Sequence, residues 1–280
     1  MDYMKLDGLF HAALEEDVGT GDITTICCVP GSSRSKGVFL ARERGVLCGV
    51  FVTARIFEII DKDLVFKAMV KDGEQLEAGD IIATVEGSTH GILKGERVAL
   101  NFMQRLSGIS TATAKAASAV AGTKVKITDT RKCTPGLRAL EKYAVRMGGG
   151  TNHRFGLDDG ILIKDNHITA AGGIQAAVKA VRNNAPKMKK IEVETETLDQ
   201  VRQAVDAGAD IIMLDNMSCE QMKEAVALID GRALTEASGN MGKRDLLEVA
   251  NTGVDIISIG ALTHSVKSLD ISLKLEPIGQ

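Results

Sequence analysis

Aromatic residues are scarce in this chain, at 3% of 280 residues with no tryptophan. A single-strand nucleic-acid binder needs stacking rings on a basic surface. The formal net charge of -3 and a pI near 6.0 supply no such surface. No uncharged apolar run reaches the roughly 18 residues of a membrane helix. The first residues, Met1 to Asp7, carry no apolar h-region, so no secretory leader is expected there. The five cysteines are odd in number and lack CxxC spacing, which argues for free thiols in a reducing cytoplasm and against a disulfide framework or a zinc site. There is no Gly-rich turn after a first strand, as a dinucleotide-binding sheet would have. Val70 to Ile81 has the turn pattern of a lipoyl-type carrier but lacks the lysine at the hairpin tip.

The remaining composition is that of a globular protein, 44% hydrophobic and 25% charged. The length suits one α/β barrel with a small extra domain. Residues 5–16 place Leu6, Leu9, Phe10, Ala13 and Leu14 on one helical face. Short strands follow at Gly37–Leu40, Val46–Val50, Leu64–Val70 and Ile81–Val85, with a helix at Thr53–Ile60 between them. From Ile92 an apolar and alanine-rich pattern to Val120 implies one or two long helices. A βα rhythm then begins, with strands at Lys124–Asp129, Ile161–Lys164, Ile191–Glu194, Asp210–Asp215, Ala233–Glu236 and Val254–Gly260. Helices fit between them at Thr169–Arg182, Leu198–Ala207, Cys219–Ile229 and Lys243–Thr252. Alternation of this kind implies a parallel sheet. Strands that end in polar residues or glycine fit a β/α barrel better than an open sheet. The expected division is a small N-terminal α+β domain over 1–108, with 265–280 a candidate to complete it, and a barrel over 109–264.

Chemistry in such a barrel gathers at the C-terminal ends of the strands. Arg131 and Lys132 follow the first strand end, Lys164 closes the next, and His153 and Arg154 sit in a loop opened by Gly148-Gly149-Gly150. Cations crowded together repel unless something anionic joins them. Any one of these residues is ordinarily a solvated loop charge, but five at strand ends form a pocket for a small, multiply charged anion. Arginine also matches carboxylate and phosphate in bidentate fashion. Glu194 and Asp215 end consecutive strands and face the same mouth. They are placed to bind Mg²⁺, grip ribose hydroxyls or stabilise a developing cation, or simply to pair with the nearby cations. Glu192 and Glu196 share the alternation of Glu194, but only Glu194 is assigned to the site. Ser238, Gly239 and Asn240, and then Gly260, follow the last two strands, where exposed backbone N–H groups and a following helix would favour phosphate. Cys133 lies beside the cations without a base and an orienting group, so it is not read as a nucleophile.

Several ordered segments carry a family resemblance. They are Glu16-Asp17 with Gly21-Asp22-Ile23-Thr24-Thr25, Gly95-Glu96-Arg97 through Asn101, Asp129-Thr130-Arg131-Lys132 with Thr134-Pro135-Gly136, Asn152-His153-Arg154, Lys164-Asp165-Asn166-His167, Glu192-Val193-Glu194, Met213-Leu214-Asp215-Asn216 and Glu236-Ala237-Ser238-Gly239. Together they resemble quinolinate phosphoribosyltransferase over nearly the whole chain. The resemblance implies a two-domain fold, an N-terminal α+β sandwich and an incomplete β/α barrel, and a reaction of quinolinate with phosphoribosyl pyrophosphate in de novo NAD synthesis. The products are nicotinate mononucleotide, pyrophosphate and CO2, and Mg²⁺ is the implied cofactor. It implies a homodimer, possible as part of a higher oligomer, in which Arg97 reaches the neighbouring site. Matched by motif, Arg131, Lys132, His153, Arg154 and Lys164 are substrate-binding cations. Glu194 and Asp215 are the acidic pair near the ribose and the metal, and Lys164, Glu194 and Asp215 are catalytic. Ser238, Gly239 and Gly260 are phosphate loops. Cys133 replaces a usual threonine, and Asn240 replaces a frequent glycine. A phosphoribosyltransferase of the same fold acting on another acid, and a non-catalytic anion-binding protein, remain as alternatives.

Overall fold

The computed structural model describes residues 3–278 and divides into two compact units. The first contains residues 1–114, 135–149 and 266–280; the second contains 115–134 and 150–265. Residues 135–149 therefore pack with the first unit, although the sequence reading placed them in the barrel.

The first unit is built on an antiparallel sheet of strands β1 (Arg34–Ala41), β3 (Val65–Ala68), β5 (Ile81–Ser88) and β12 (Ile271–Pro277), in the order β12-β1-β5-β3; a two-stranded ribbon pairs β2 (Gly45–Val46) with β4 (Gln75–Leu76). The C-terminal β12 pairs along the length of β1, from Ser35 opposite Pro277 to Ala41 opposite Ile271. Phe39, Phe57 and Phe66 form an aromatic cluster on this sheet. One continuous helix spans Thr89–Ala119. At its Gly108 the backbone of the C-terminal segment comes so close that an added Cβ would lie 2.1 Å from the Lys267 carbonyl oxygen. The helix Val50–Ile60 starts three residues earlier than the apolar pattern indicates, because the Asp72 carboxylate accepts the Gly49 and Val50 N–H groups at 2.9 and 3.0 Å. The helix Arg138–Met147 has no counterpart in the sequence reading. It is polar on average, and its buried face includes Glu141, paired to Arg105 at 2.6 Å.

The second unit holds six parallel strands: β6 (Lys126–Thr128), β7 (Ile161–Ile163), β8 (Ile191–Thr195), β9 (Ile211–Asp215), β10 (Leu234–Ser238) and β11 (Ile256–Ser258). Their order is β6-β11-β10-β9-β8-β7, so strands from β7 to β11 neighbour their successors, β11 returns to pair with β6, and β6 and β7 form the two edges. That order is a curled barrel sheet and has no topological switch point. A single bridge joins Thr128 to Thr151, and β7 has no partner on its other side among the described residues. The barrel is thus incomplete.

Strand alternation decides which side chains face its interior. Val193, Ile212, Leu214, Ala237 and Ile257 are fully buried on one face. Residues of the opposite parity, including Glu192, Glu194, Asp215, Glu236, Ser238 and Ser258, face the barrel interior. The helices match the sequence pattern where caps are strong. Thr197 with Gln200, and Ser218 with Gln221, form capping boxes at the starts of Leu198–Asp206 and Cys219–Ile229. The expected helix Thr169–Arg182 is instead two helices, Asp165–Ala171 and Ile174–Asn184. Gly172 and Gly173, at φ of 84° and 131°, break it between them.

Candidate active site

A cavity of about 450 Å³ in the second unit is lined by Arg131, Lys132, His153, Arg154, Lys164, Glu194, Asp215, Glu236, Ser238 and Ser258 among others. All but Glu236, which sits in the middle of β10, arrive from a strand end or from the loop that follows it. Arg131 and Lys132 come after β6, and Lys164 is the residue after β7 and the N-cap of the helix Asp165–Ala171. Asp215, Ser238 and Ser258 are the last residues of β9, β10 and β11. The loop carrying His153 and Arg154 is pinned by fully buried Asp129, which accepts from the Asn152 side chain at 2.5 Å and the His153 N–H at 3.0 Å.

The electrostatics are unbalanced in a directed way. Burial, and then the neighbouring Arg131 charge, lower the pKa of the Arg154 guanidinium from its ordinary value. One Nη of Arg154 donates to the Gly160 carbonyl at 2.9 Å. The Nε atoms of both Arg131 and Arg154 are buried with no hydrogen-bond partner among the described residues. Such donors are costly unless something meets them. Lys164 differs, since its Nζ lies 2.6 Å from Glu194 Oε2.

His153 is oriented differently from the other sequence-predicted cations. Its Nδ1 accepts the Arg154 N–H at 2.8 Å, so the ring proton is on Nε2, 3.1 Å from Glu192 Oε2 and 3.7 Å from Glu236 Oε2. In this geometry the ring is turned toward carboxylates of the barrel interior. The three side chains have ligand atoms within 4.8 Å of one another. A protonated Nε2 cannot ligate a metal, however, so this cluster does not suit a divalent ion. Glu194 and Asp215 do: they offer oxygen donors in the cavity, and Mg²⁺ is held through one or two carboxylates with water and phosphate oxygens completing the shell.

The phosphate candidates divide. Ser238 lines the cavity, whereas Gly239, Asn240 and Gly260 are not among its lining residues. Gly239, at φ 91°, lies so close to Asn216 that a Cβ would sit 2.2 Å from Asn216 Oδ1, and Asn240 at φ 55° donates to the same oxygen at 3.3 Å. Gly260 leaves room for Lys132, whose Cδ is 3.1 Å from the Cβ position. The helices after these loops have three and four residues, Met241–Lys243 and Ala261–His264, too short for the helix dipole the sequence reading invoked. Arg97 is exposed in the first unit and does not line the cavity.

Sequence reasoning left Glu192 and Glu236, which cluster with His153, and Thr130, which lines the cavity, out of the site. A signal was present. Glu192 shares the strand parity of Glu194, and Glu236 has the parity of Ser238, which faces the same mouth. The expected end of β10 at Glu236 fell two residues short of Ser238, which hid how deep Glu236 lies.

The N-terminal domain of quinolinate phosphoribosyl transferase matches residues 22–107, and its C-terminal domain matches residues 109–274. The probable carboxylating nicotinate-nucleotide pyrophosphorylase of Bacillus subtilis is 46% identical over 98% of this chain and 94% of its own length. The chloroplastic carboxylating nicotinate-nucleotide pyrophosphorylase of Arabidopsis thaliana is 45% identical over 97% and 83%. NadC from Streptococcus pyogenes superposes with a TM-score of 0.93 at 44% identity, over 100% of this chain and 99% of that one. The nicotinate-nucleotide pyrophosphorylase of Francisella tularensis gives 0.95 at 39% identity, over 99% and 98%. With both domains matched in order and relatives alike over almost their full length, the chain belongs to the quinolinate phosphoribosyl transferase family.

Proposed function

We propose that the chain transfers the phosphoribosyl group of phosphoribosyl pyrophosphate to the ring nitrogen of quinolinate. The products are nicotinate mononucleotide, pyrophosphate and CO2, for NAD synthesis. The observation that carries the proposal is the pair of buried, unpartnered guanidinium Nε–H groups of Arg131 and Arg154 in one cavity with Glu194 and Asp215. Quinolinate brings two carboxylates to those donors, and a charge-assisted, forked contact satisfies both parties.

Arg131, Lys132 and Arg154 bind and orient the dicarboxylate. His153 holds Arg154 through its ring nitrogen and so acts by positioning. Rupture of the bond between ribose C1 and pyrophosphate leaves oxocarbenium character on the sugar. Glu194 and Asp215 stabilise it electrostatically, with Lys164 holding Glu194 in place. Glu194 and Asp215 would hold Mg²⁺, which would supply positive charge for the pyrophosphate leaving group. Catalysis is by positioning and electrostatics, without a covalent enzyme intermediate. After transfer the ring nitrogen is cationic and accepts the electrons released as the adjacent carboxylate leaves. Ser238 contributes a hydroxyl to the phosphate end of the cavity; Gly239, Asn240 and Gly260 shape that end.

The working unit in this proposal is a homodimer in which exposed Arg97 serves the neighbouring site. Mixed dimers of Arg97→Ala and Lys164→Ala subunits then regain about one working site of two, and verified heterodimers without recovery exclude the arrangement. Location in the cytoplasm belongs to the same proposal. It accords with the cysteines, all free in the structure. No helix among the described residues is long and apolar enough to cross a membrane.

The decisive assay is pyrophosphate release on mixing protein, quinolinate, phosphoribosyl pyrophosphate and Mg²⁺. Release with quinolinate and none with nicotinate is the expected result. Release with nicotinate alone marks a transferase for another acid, and tight quinolinate binding without release marks a binding protein.

A further inference from the structure

The barrel interior buries a carboxyl group that the steps above leave without a task. Glu236 is 2% exposed, and its Oε1 has no hydrogen-bond partner among the described residues. It lines the active cavity, and it also lines a second cavity of about 450 Å³. The second cavity is bounded by Lys126, Ile161, Ile211 and Ile256, the first residues of four strands, so it lies toward the opposite end of the barrel. Glu236, with His153 and Arg154, is common to both cavities. The groups facing it are Glu192 from β8, His153 from the loop after Thr151 and Ser258 from β11. Burial first, and then the nearby Glu192 carboxylate, push its pKa up to about 8, against smaller opposing effects of His153 and Ser258. Both raising effects favour the protonated, uncharged carboxyl group.

The proposed reaction needs an acid at one step. When the bond between ring carbon 2 and its carboxylate breaks, CO2 departs and the electron pair stays on carbon 2, beside the ribosylated nitrogen. That carbon must gain one proton to become the C–H of the product. Without a donor at hand the carbanion recaptures CO2. Arginine does not release its proton, and Lys164 is engaged with Glu194.

We propose that the Glu236 carboxyl group donates this proton to carbon 2, and that the resulting carboxylate is reprotonated by water entering through the second cavity while substrates fill the first. One O–H bond breaks, one C–H bond forms, and the pair left by CO2 becomes the new bond, so no oxidant or further reactant is needed. The assignment rests on the quinolinate reading of the site and is tested separately from it.

The test measures pyrophosphate release and CO2 release in single turnovers by wild type and Glu236→Gln. A wild type that releases no pyrophosphate overturns the functional reading itself. With an active wild type, Glu236→Gln is expected to slow CO2 release by on the order of a hundredfold, the usual worth of a positioned acid, and to slow pyrophosphate release much less. The ribosylated dicarboxylate then accumulates. Equal slowing of both steps, or of neither, overturns the proposal. A second measurement needs no variant. Decarboxylation by the wild type should lose rate as pH rises through the range in which Glu236 ionises, while transfer does not follow it. A profile for CO2 release that is flat, or that merely copies that of pyrophosphate release, also refutes the donor.

Discussion

Replacing Arg131 by methionine should stabilise the ligand-free protein while disabling it. The buried Nε–H of Arg131 has no partner among the described residues, and its charge opposes that of Arg154. An unsatisfied buried donor costs about 1–3 kcal/mol. Methionine keeps most of the apolar stem and removes both penalties, so a gain of about 1–2 kcal/mol is expected. At about 2–4 °C per kcal/mol for a chain of this size, the melting temperature without ligands should rise by several degrees. The same change removes a forked contact to substrate. Two charge-assisted bonds at about 1.5–3 kcal/mol each set the loss in kcat/KM at roughly two to four powers of ten. Thermal unfolding with and without saturating quinolinate separates the two effects, because ligand that binds only the folded state raises its stability by about 2.7 kcal/mol at a hundred times Kd. Wild type should show that shift and Arg131→Met should not. A variant that melts below wild type, or keeps kcat/KM within tenfold of it, would refute the reasoning.

Lys164→Ala should cut kcat/KM by two or more powers of ten yet change unfolding free energy by less than about 1 kcal/mol, since its pair with Glu194 is partly exposed; matched losses in denaturation and activity would argue for a structural role. Gly239→Ala combines a left-handed φ of 91° with a Cβ placed 2.2 Å from Asn216 Oδ1, and should lower the stability measured by urea unfolding by about 2–4 kcal/mol. Gly260→Ala meets only Lys132 and His264 side-chain atoms at 3.1 and 3.2 Å; its unfolding midpoint should hardly move while KM rises as Lys132 is displaced. Between about pH 4.5 and 8 the folded protein retains a proton on Glu236 that the unfolded chain releases. Stability should therefore fall as pH rises across that window, and a Glu236→Gln protein should show a smaller decline in melting temperature.

The barrel was legible because its signals are local. Polar residues close apolar strands, and capping boxes at Thr197 and Ser218 mark helix starts. The converging cations were legible for the same reason: a parallel strand puts the residue after its last apolar position at the mouth. What escaped depends on long-range geometry. The helix Arg138–Met147 buries Glu141 against Arg105, an ion pair between residues 36 positions apart that no periodicity announces. The orientation of the His153 ring depends on one backbone N–H meeting one ring nitrogen. Gly260 had the look of a phosphate glycine, but its missing side chain is space for Lys132.

The two kinds of unpaired group in this barrel are of opposite sign and have different consequences. Arg131 and Arg154 cannot shed their protons, so their burial leaves a standing demand for an anion that substrate meets. Glu236 can take one up, and burial makes it do so, turning a costly carboxylate into a neutral acid within the same cavity. A barrel interior that fixes charge on one side and suppresses it on the other suits a reaction that first binds a dianion and then discards one carboxylate. Filling the interior with apolar side chains would yield a more stable barrel, and one that could neither hold the acid nor return a proton to its ring.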